Sequence, residues 1–154
     1  MKQHSDTYLE FTDAGDIIRL EPIHLTYPKA VEDWDRNWIK TSVTVKGGVF
    51  SGQFIADFLT TDFESFKRQL KILDNDFNAG ATFEPMEGQL TMKIKGDGLG
   101  NFELDCKASP EPHLGQTLSF SINFDQTEIK GYIRQLDKIT RAFPITGDLK
   151  LRND

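Results

Sequence analysis

Cysteine is almost missing from this chain: Cys106 stands alone in 154 residues. No intrachain disulfide can form, and the class of small secreted domains held by disulfides is excluded. Histidine is nearly as scarce. His4, His24 and His113 share no spacing pattern with one another or with Cys106, so neither a metal-ligand motif nor a nucleophile with its base is legible. Basic residues are in deficit, with 18 Lys and Arg against 24 Asp and Glu and a net charge of −6. That balance opposes the counterion-release attraction behind nucleic-acid binding; it favours encounter with a basic partner and is equally ordinary for a bacterial cytosolic protein. Long apolar runs are absent as well. Nothing approaches the ~18 apolar residues of a membrane span, and Met1-Lys2-Gln3-His4-Ser5-Asp6 has no signal-peptide core. No membrane association and a cytoplasmic location are expected.

What is present is core material. Apolar residues make up 38% of the chain, and its 12 Phe are spread along the length, as suits a single packed domain over residues 1–154. Alternation identifies strands. Leu90, Met92 and Ile94 face one way and Thr91, Lys93 and Lys95 the other; Phe102, Leu104, Cys106 and Ala108 continue the pattern, as do Leu118, Phe120, Ile122 and Phe124. Gly96-Asp97-Gly98-Leu99-Gly100 reads as a five-residue hairpin turn that sets Lys95 opposite Asn101 and Met92 opposite Leu104. Val43 and Val45 mark another strand. Phe50, Gly52, Phe54, Ala56 and Phe58 line the inner face of its neighbour, joined through Lys46-Gly47-Gly48. Residues 7–11 and 17–25 read as an opening pair around Asp13-Ala14-Gly15-Asp16.

Two helices interrupt the strands. The first opens at Thr61-Asp62-Phe63-Glu64, with the Thr and Glu spaced as a capping box, and carries the stripe Phe63, Phe66, Leu70, Leu73, Phe77. The second follows Asp125-Gln126-Thr127 with the stripe Ile129, Tyr132, Leu136, Ile139, Phe143 and stops before Pro144. Thr61 and Thr127, Phe66 and Tyr132, and Arg68-Gln69-Leu70 and Arg134-Gln135-Leu136 are all 66 residues apart. Two readings stand: a duplicated unit with halves at about 17–80 and 81–147, or shared helix chemistry. The fold expected is α+β, an antiparallel sheet of about seven strands with two long helices packed on one face. Phe54, Phe66, Leu70, Leu90, Met92, Leu104, Phe120, Ile122, Leu136 and Ile139 are expected in the core.

Chemistry is hard to find. Cys106 points inward on an apolar strand and reads as a buried filler. Glu84 and Glu87 flank a turn, Glu103 and Asp105 sit on a solvated strand face, and neither pairing is specific for acid/base chemistry. The glycines at 96–100 are followed by a strand, whereas a phosphate loop must deliver a helix N-terminus. No catalytic residue, metal or cofactor is assigned.

The distinctive stretch is Glu32-Asp33-Trp34-Asp35-Arg36-Asn37-Trp38, an acidic segment holding both tryptophans. Aromatic residues ringed by charge serve as interface anchors; the same residues also suit a lid, with Trp34 folded over the core edge and Trp38 opening a strand. Glu32, Asp33, Trp34, Asp35 and Trp38 are the candidate partner-binding residues.

The order of motifs resembles a known family. Asp33-Trp34-Asp35 with Trp38-Ile39, Gly48-Val49-Phe50-Ser51-Gly52, Asp62-Phe63 before Phe66 and Leu70, and Gly80-Ala81-Thr82-Phe83-Glu84-Pro85-Met86-Glu87 come first. Gly96 to Gly100, Leu118-Ser119-Phe120, Asp125-Gln126-Thr127 and Phe143-Pro144 follow. Over roughly residues 30–147 the chain resembles the WapI family of small bacterial proteins, which includes immunity proteins against contact-dependent toxins. The resemblance implies a noncatalytic cytoplasmic domain that neutralises a toxin by stoichiometric binding, and an acidic domain suits a basic toxin. It implies no catalytic residues. Two alternatives from other classes remain: an enzyme or small-ligand binder using a pocket between helices and sheet, and a housekeeping scaffold.

Overall fold

The computed structural model describes residues 7–149; the segment 1–6, with His4, and residues 150–154 lie outside the described residues. Strand β1 (Leu9–Asp13) turns into β2 (Asp16–Leu25) through Ala14 and Gly15. Both have positive φ, 49° and 94°, the backbone a two-residue hairpin needs to match strand twist. Strands β3 (Trp38–Gly47) and β4 (Phe50–Leu59) form the next hairpin, turning at Gly48 with φ 62°. Helix α1 (Thr60–Leu73) follows directly, and then β5 (Gly80–Phe83), β6 (Leu90–Gly96), β7 (Asn101–Ala108) and β8 (Leu118–Asp125). A 3-10 turn at Gln126–Glu128 leads into helix α2 (Ile129–Ala142).

The strands form two antiparallel four-stranded sheets, β1-β2-β3-β4 and β5-β6-β7-β8, not one sheet of about seven strands. Strand β5, only four residues long, is too short to show alternation and supplies the eighth strand. It pairs with β6, so the chain leaving α1 starts a new sheet instead of extending the first. The order of four strands and a helix therefore occurs twice, over Leu9–Leu73 and Gly80–Ala142. The helices do not share one face of one sheet. They pack on each other, α1 lies against β5, and α2 lies against β1, so each helix covers the opening strand of the other sheet.

Phenylalanine explains that exchange. Phe83 of β5 packs on Phe58 and Phe66 of the first unit, with ring centroids 5.2 and 5.6 Å apart. Phe11 of β1 packs on Phe124 and Tyr132 of the second, at 6.0 and 4.3 Å. Phe66 also meets Phe11 at 6.4 Å, joining both clusters into one core that spans the two sheets and both helices. Such tilted and edge-on aromatic pairs add to the burial of large apolar area. All of the predicted core residues are buried except Phe54 and Phe120, which are half-buried. On the inner line of β4, Phe50 and Gly52 are exposed, because the tip of the β3–β4 hairpin runs past the core.

Polar groups repeat the exchange. The Gln69 amide of α1 accepts from Thr82 N at 2.9 Å and donates to Thr82 O at 3.1 Å. Gln135 of α2 accepts from Glu10 N at 2.9 Å. Each helix thus satisfies backbone groups on the open edge of the strand it covers, where an unpaired row invites another chain. The start of α1 is held by Asp62, whose carboxylate accepts from Leu59 N at 2.8 Å; this corrects the expected Thr61 and Glu64 box. At the second helix the Asp125 carboxylate accepts from Thr127 N at 2.9 Å.

The β6–β7 register also differs from expectation. Lys95 opposes Glu103, Lys93 opposes Asp105 and Met92 opposes Cys106, a slip of two residues that preserves every facing. The Asp97 side chain accepts from Leu99 N, Asn101 N and Asn101 Nδ2 at 2.7, 3.1 and 2.9 Å, and Asp97 N donates to Asn101 O at 3.0 Å. Those bonds close the loop one residue later, and Gly96 joins the strand.

Candidate functional site

Three connections between strands are long: residues 26–37 between β2 and β3, 84–89 between β5 and β6, and 109–117 between β7 and β8. All three meet at one end of the molecule. Tyr27 from the first, Glu87 and Gln89 from the second and Pro112 from the third line a groove of about 400 Å³ together with Trp38 of β3 and Asp57 of β4. A second hollow of about 570 Å³, lined by Tyr27, Pro28, Lys29, Ala30 and Asp35, shares Tyr27 as a wall. Backbone and side-chain bonds stitch the loops together beneath it. Gln89 donates to Pro110 O at 3.1 Å and accepts from Asp57 N at 3.2 Å. Ser109 N donates to Gln89 O at 2.9 Å.

The tryptophan loop is braced. Arg36 donates to Ala30 O and Val31 O at 3.1 and 3.0 Å and pairs with the Asp33 carboxylate. Fully buried Asn37 donates to Asp33 O at 2.6 Å and Thr146 O at 2.9 Å and accepts from Thr146 N at 2.8 Å. Buried amide groups are costly unless bonded, so Asn37 fixes the loop to the segment after α2. At its start, Thr26 N donates to Trp38 O and Thr26 Oγ1 to Asp57, both at 2.9 Å.

The predicted residues therefore divide. Trp38 walls the groove and Asp35 the adjoining hollow, both half-buried. Glu32, Asp33 and Trp34 line neither and stand on the outside of the loop, with Trp34 38% and neighbouring Val31 91% exposed. Tyr27, Asp57, Gln89 and Pro112 were not singled out by sequence reasoning, because the segments that bring them together are far apart in the chain. Glu87 was considered as an acid/base partner of Glu84, but the structure sets it beside Trp38 and Asp57 instead.

Residues 9–144 match the model of the immunity protein WapI-like family. The chain belongs to that family. No curated protein matches it. Among solved structures, the plant transcriptional regulator PBF-2 is similar at 11% identity and a TM-score of 0.51, over 88% of this chain and 82% of that one. This likeness is one of fold. The MRP1/MRP2 structures of Trypanosoma bruciei are similar at 11% identity and a TM-score of 0.47, over 85% of this chain and 77% of the other.

In this WapI-like chain several groups with reactive side chains hold structural positions. Burial pushes the Cys106 thiol up to about 12, so it stays protonated and weakly nucleophilic. Tyr132 is likewise raised, first by burial and then by the charges of Glu128, Asp125 and Asp13. His24 Nδ1 donates to Leu25 O at 2.9 Å on the exposed end of β2. Bonds from Asn101 and from the Leu99 and Asn101 amides hold the Asp97 carboxyl below its ordinary range, and its oxygens serve the hairpin turn. A hollow of about 550 Å³ lies between the start of α1 and the β5–β6 loop, with Asp62, Ser65, Thr82 and Glu84 among its lining. Asp62 there caps the helix. Among the described residues, no three His, Cys, Asp or Glu side chains gather closely enough to hold a metal ion, and no helix is long and apolar enough to cross a membrane.

Proposed function

We propose that this chain is a cytoplasmic, noncatalytic immunity protein that neutralises a toxin by stoichiometric binding. Family membership supports the immunity role. The observation that carries the docking site is the convergence of the three long connections, from both sheets, on the groove walled by Tyr27 and Trp38. The fold's own turns are short and its core is closed, so residues beyond what the fold needs are gathered at one end. Loops on a rigid scaffold are where proteins place recognition. Glu87 in the groove and Glu32 and Asp35 on the adjacent loop outweigh Lys29, while Asp57 is paired with Lys40 and Asp33 with Arg36, and the net negative balance makes this end attractive to a basic toxin surface. Trp34 supplies an exposed aromatic anchor on a loop already ordered by Arg36 and Asn37, which lowers the entropy lost on binding. The partner is a protein; direct nucleic-acid binding and membrane binding form no part of this reading.

The test begins with the genes next to this chain's own, each one that encodes a large toxin being coexpressed with it. Protection from toxicity and a one-to-one complex are expected, with no change in the toxin's covalent structure after release. Loss of toxicity through a covalent change in the toxin, or through a substoichiometric amount of this chain, would contradict stoichiometric neutralisation.

A further inference from the structure

The opposite end of the first sheet carries a surface of another kind. Among the described residues strand β4 is an edge strand, paired with β3 alone. From Phe50 to Ala56 it has neither charge nor proline, and its pairing with β3 runs without a bulge. Charges, prolines and bulges are the devices that keep edge strands from pairing. Strands β1 and β5 are shielded by Gln135 and Gln69, as described above, and on β4 itself Gln89 closes the edge only at Asp57. The hairpin tip is apolar and uncovered: Val49 is 92%, Phe50 67% and Ile55 51% exposed. At Gly52 a Cβ would meet nothing within 4 Å, so the inner face is open there.

We propose that this edge pairs with the same edge of a second copy, antiparallel about a two-fold axis at Gly52, joining two four-stranded sheets into one. The sequence is self-complementary in that register. Phe50 of each copy opposes Phe54 of the other, Ser51 opposes Gln53, and Val49 comes beside Ile55, so the exposed apolar residues cover one another. The facing is consistent as well. Asp57 N points out of the sheet toward Gln89, and by alternation Ser51, Gln53 and Ile55 also direct their backbone groups outward, as a new ladder requires. A chain of net charge −6 repels its own copies over most of its surface, and on this neutral strip two can meet without like charges in contact. A two-fold interface uses the same patch on both molecules, and in this register the partner's hairpin tip ends opposite Ala56, next to Asp57 and Gln89 at the rim of the loop groove.

The test uses the full chain with Gly52→Cys. Residues at the axis form a pair without ladder hydrogen bonds, with Cα atoms about 4.5 Å apart, within the roughly 4.4–6.8 Å that a disulfide spans. Mild oxidation should give a disulfide-linked dimer, twice 17.5 kDa, on non-reducing gels, while buried Cys106 leaves the parent chain uncrosslinked. Sedimentation equilibrium of the parent chain should show a dimer whose association tightens as salt screens the net charge. Gln53→Pro removes an outward N–H together with the exposed bond from Gln53 Nε2 to Ser42 Oγ, and Ile55→Lys places two charges in the strip; each should lower association at least tenfold with the melting temperature near that of the parent. A monomer at every concentration, a dimer that both variants leave intact, or a dimer without the Gly52→Cys crosslink would overturn the proposal. A β4 edge that pairs with a strand of some other protein instead falls under the first of these outcomes.

Discussion

The two strand-and-helix units pack alike and connect differently. In each, a phenylalanine on the opening strand meets the helix of the other unit, and a glutamine on that helix bonds the same strand's open edge. The first unit has tight β1–β2 and β3–β4 turns and a long β2–β3 loop; the second has the reverse, with a tight β6–β7 turn between two long connections. Packing constrains what lies between the sheets and leaves loop length free. The three long loops nevertheless converge on one groove, and that separates a fold-making part of the molecule from a part available for recognition.

The sharpest attack on the likeness of the units is at their helices. Leu70 and Leu136 occupy matching, fully buried positions, and replacing either by Ala should cost on the order of 2–5 kcal/mol. Chemical denaturation of the two variants should give similar losses and a single cooperative transition in each. A variant that melts one unit and spares the other would show that the shared core is less continuous than its aromatic contacts imply.

At the recognition end, Trp34→Ala should weaken toxin binding by about 2 kcal/mol or more. The cost in folding stability should be about 1 kcal/mol or less, since the side chain is partly exposed and its loop is held by Arg36 and Asn37. Calorimetric titration beside thermal unfolding separates these effects. If stability falls by roughly 3–5 kcal/mol instead, as for a buried aromatic, Trp34 is a lid and the groove residues Tyr27 and Trp38 become the anchors to test.

The glutamines test where the units differ. Gln69 makes two bonds to Thr82 and Gln135 one to Glu10, and net hydrogen-bond contributions are about 0.5–1.5 kcal/mol each. Gln69→Leu should therefore cost more than Gln135→Leu. Hydrogen exchange should speed up at the Thr82 amide in the first variant and at the Glu10 amide in the second. Equal costs, or exchange that rises everywhere, would assign the glutamines a packing role in place of edge protection.

Much of this fold could be read from the sequence, for reasons that are local. Strands β6, β7 and β8 alternate cleanly, and the stripes Phe63 to Leu73 and Ile129 to Ile139 face the core as their spacing required, because burial on one side imprints a period on neighbouring residues; Phe77, expected to extend the first stripe, lies beyond the end of α1, and Phe143 caps α2. Strand β5 left no such mark in four residues. The split into two sheets depends on which strand β5 pairs with, a tertiary choice that alternation does not encode. The two-residue slip between β6 and β7 was hidden because facing repeats every second residue, and the side chain of Asp97 decided among registers that looked the same. The site was legible only in part. An acidic segment with two tryptophans is visible in sequence, but Asp57, Glu87 and Pro112 carry no signal until the loops meet.

The smallest effect expected concerns approach of the toxin. Asp33 is a poor probe of steering, because it pairs with Arg36 and its backbone carbonyl accepts from Asn37; reversing its charge would disturb the loop as well as the field. Glu32 is exposed and has no such bracing role in the bonds described. Glu32→Lys should slow association with a basic toxin by roughly twofold to tenfold at low salt, with dissociation nearly unchanged, since rim charges act on encounter more than on the docked complex. Raising the ionic strength should shrink the difference, because a Debye length of about 8 Å at physiological salt screens an exposed charge before contact. Surface plasmon resonance over a salt series gives both rates. A change confined to dissociation would place Glu32 inside the interface, and a slower approach that salt leaves untouched would remove electrostatic steering from the recognition end.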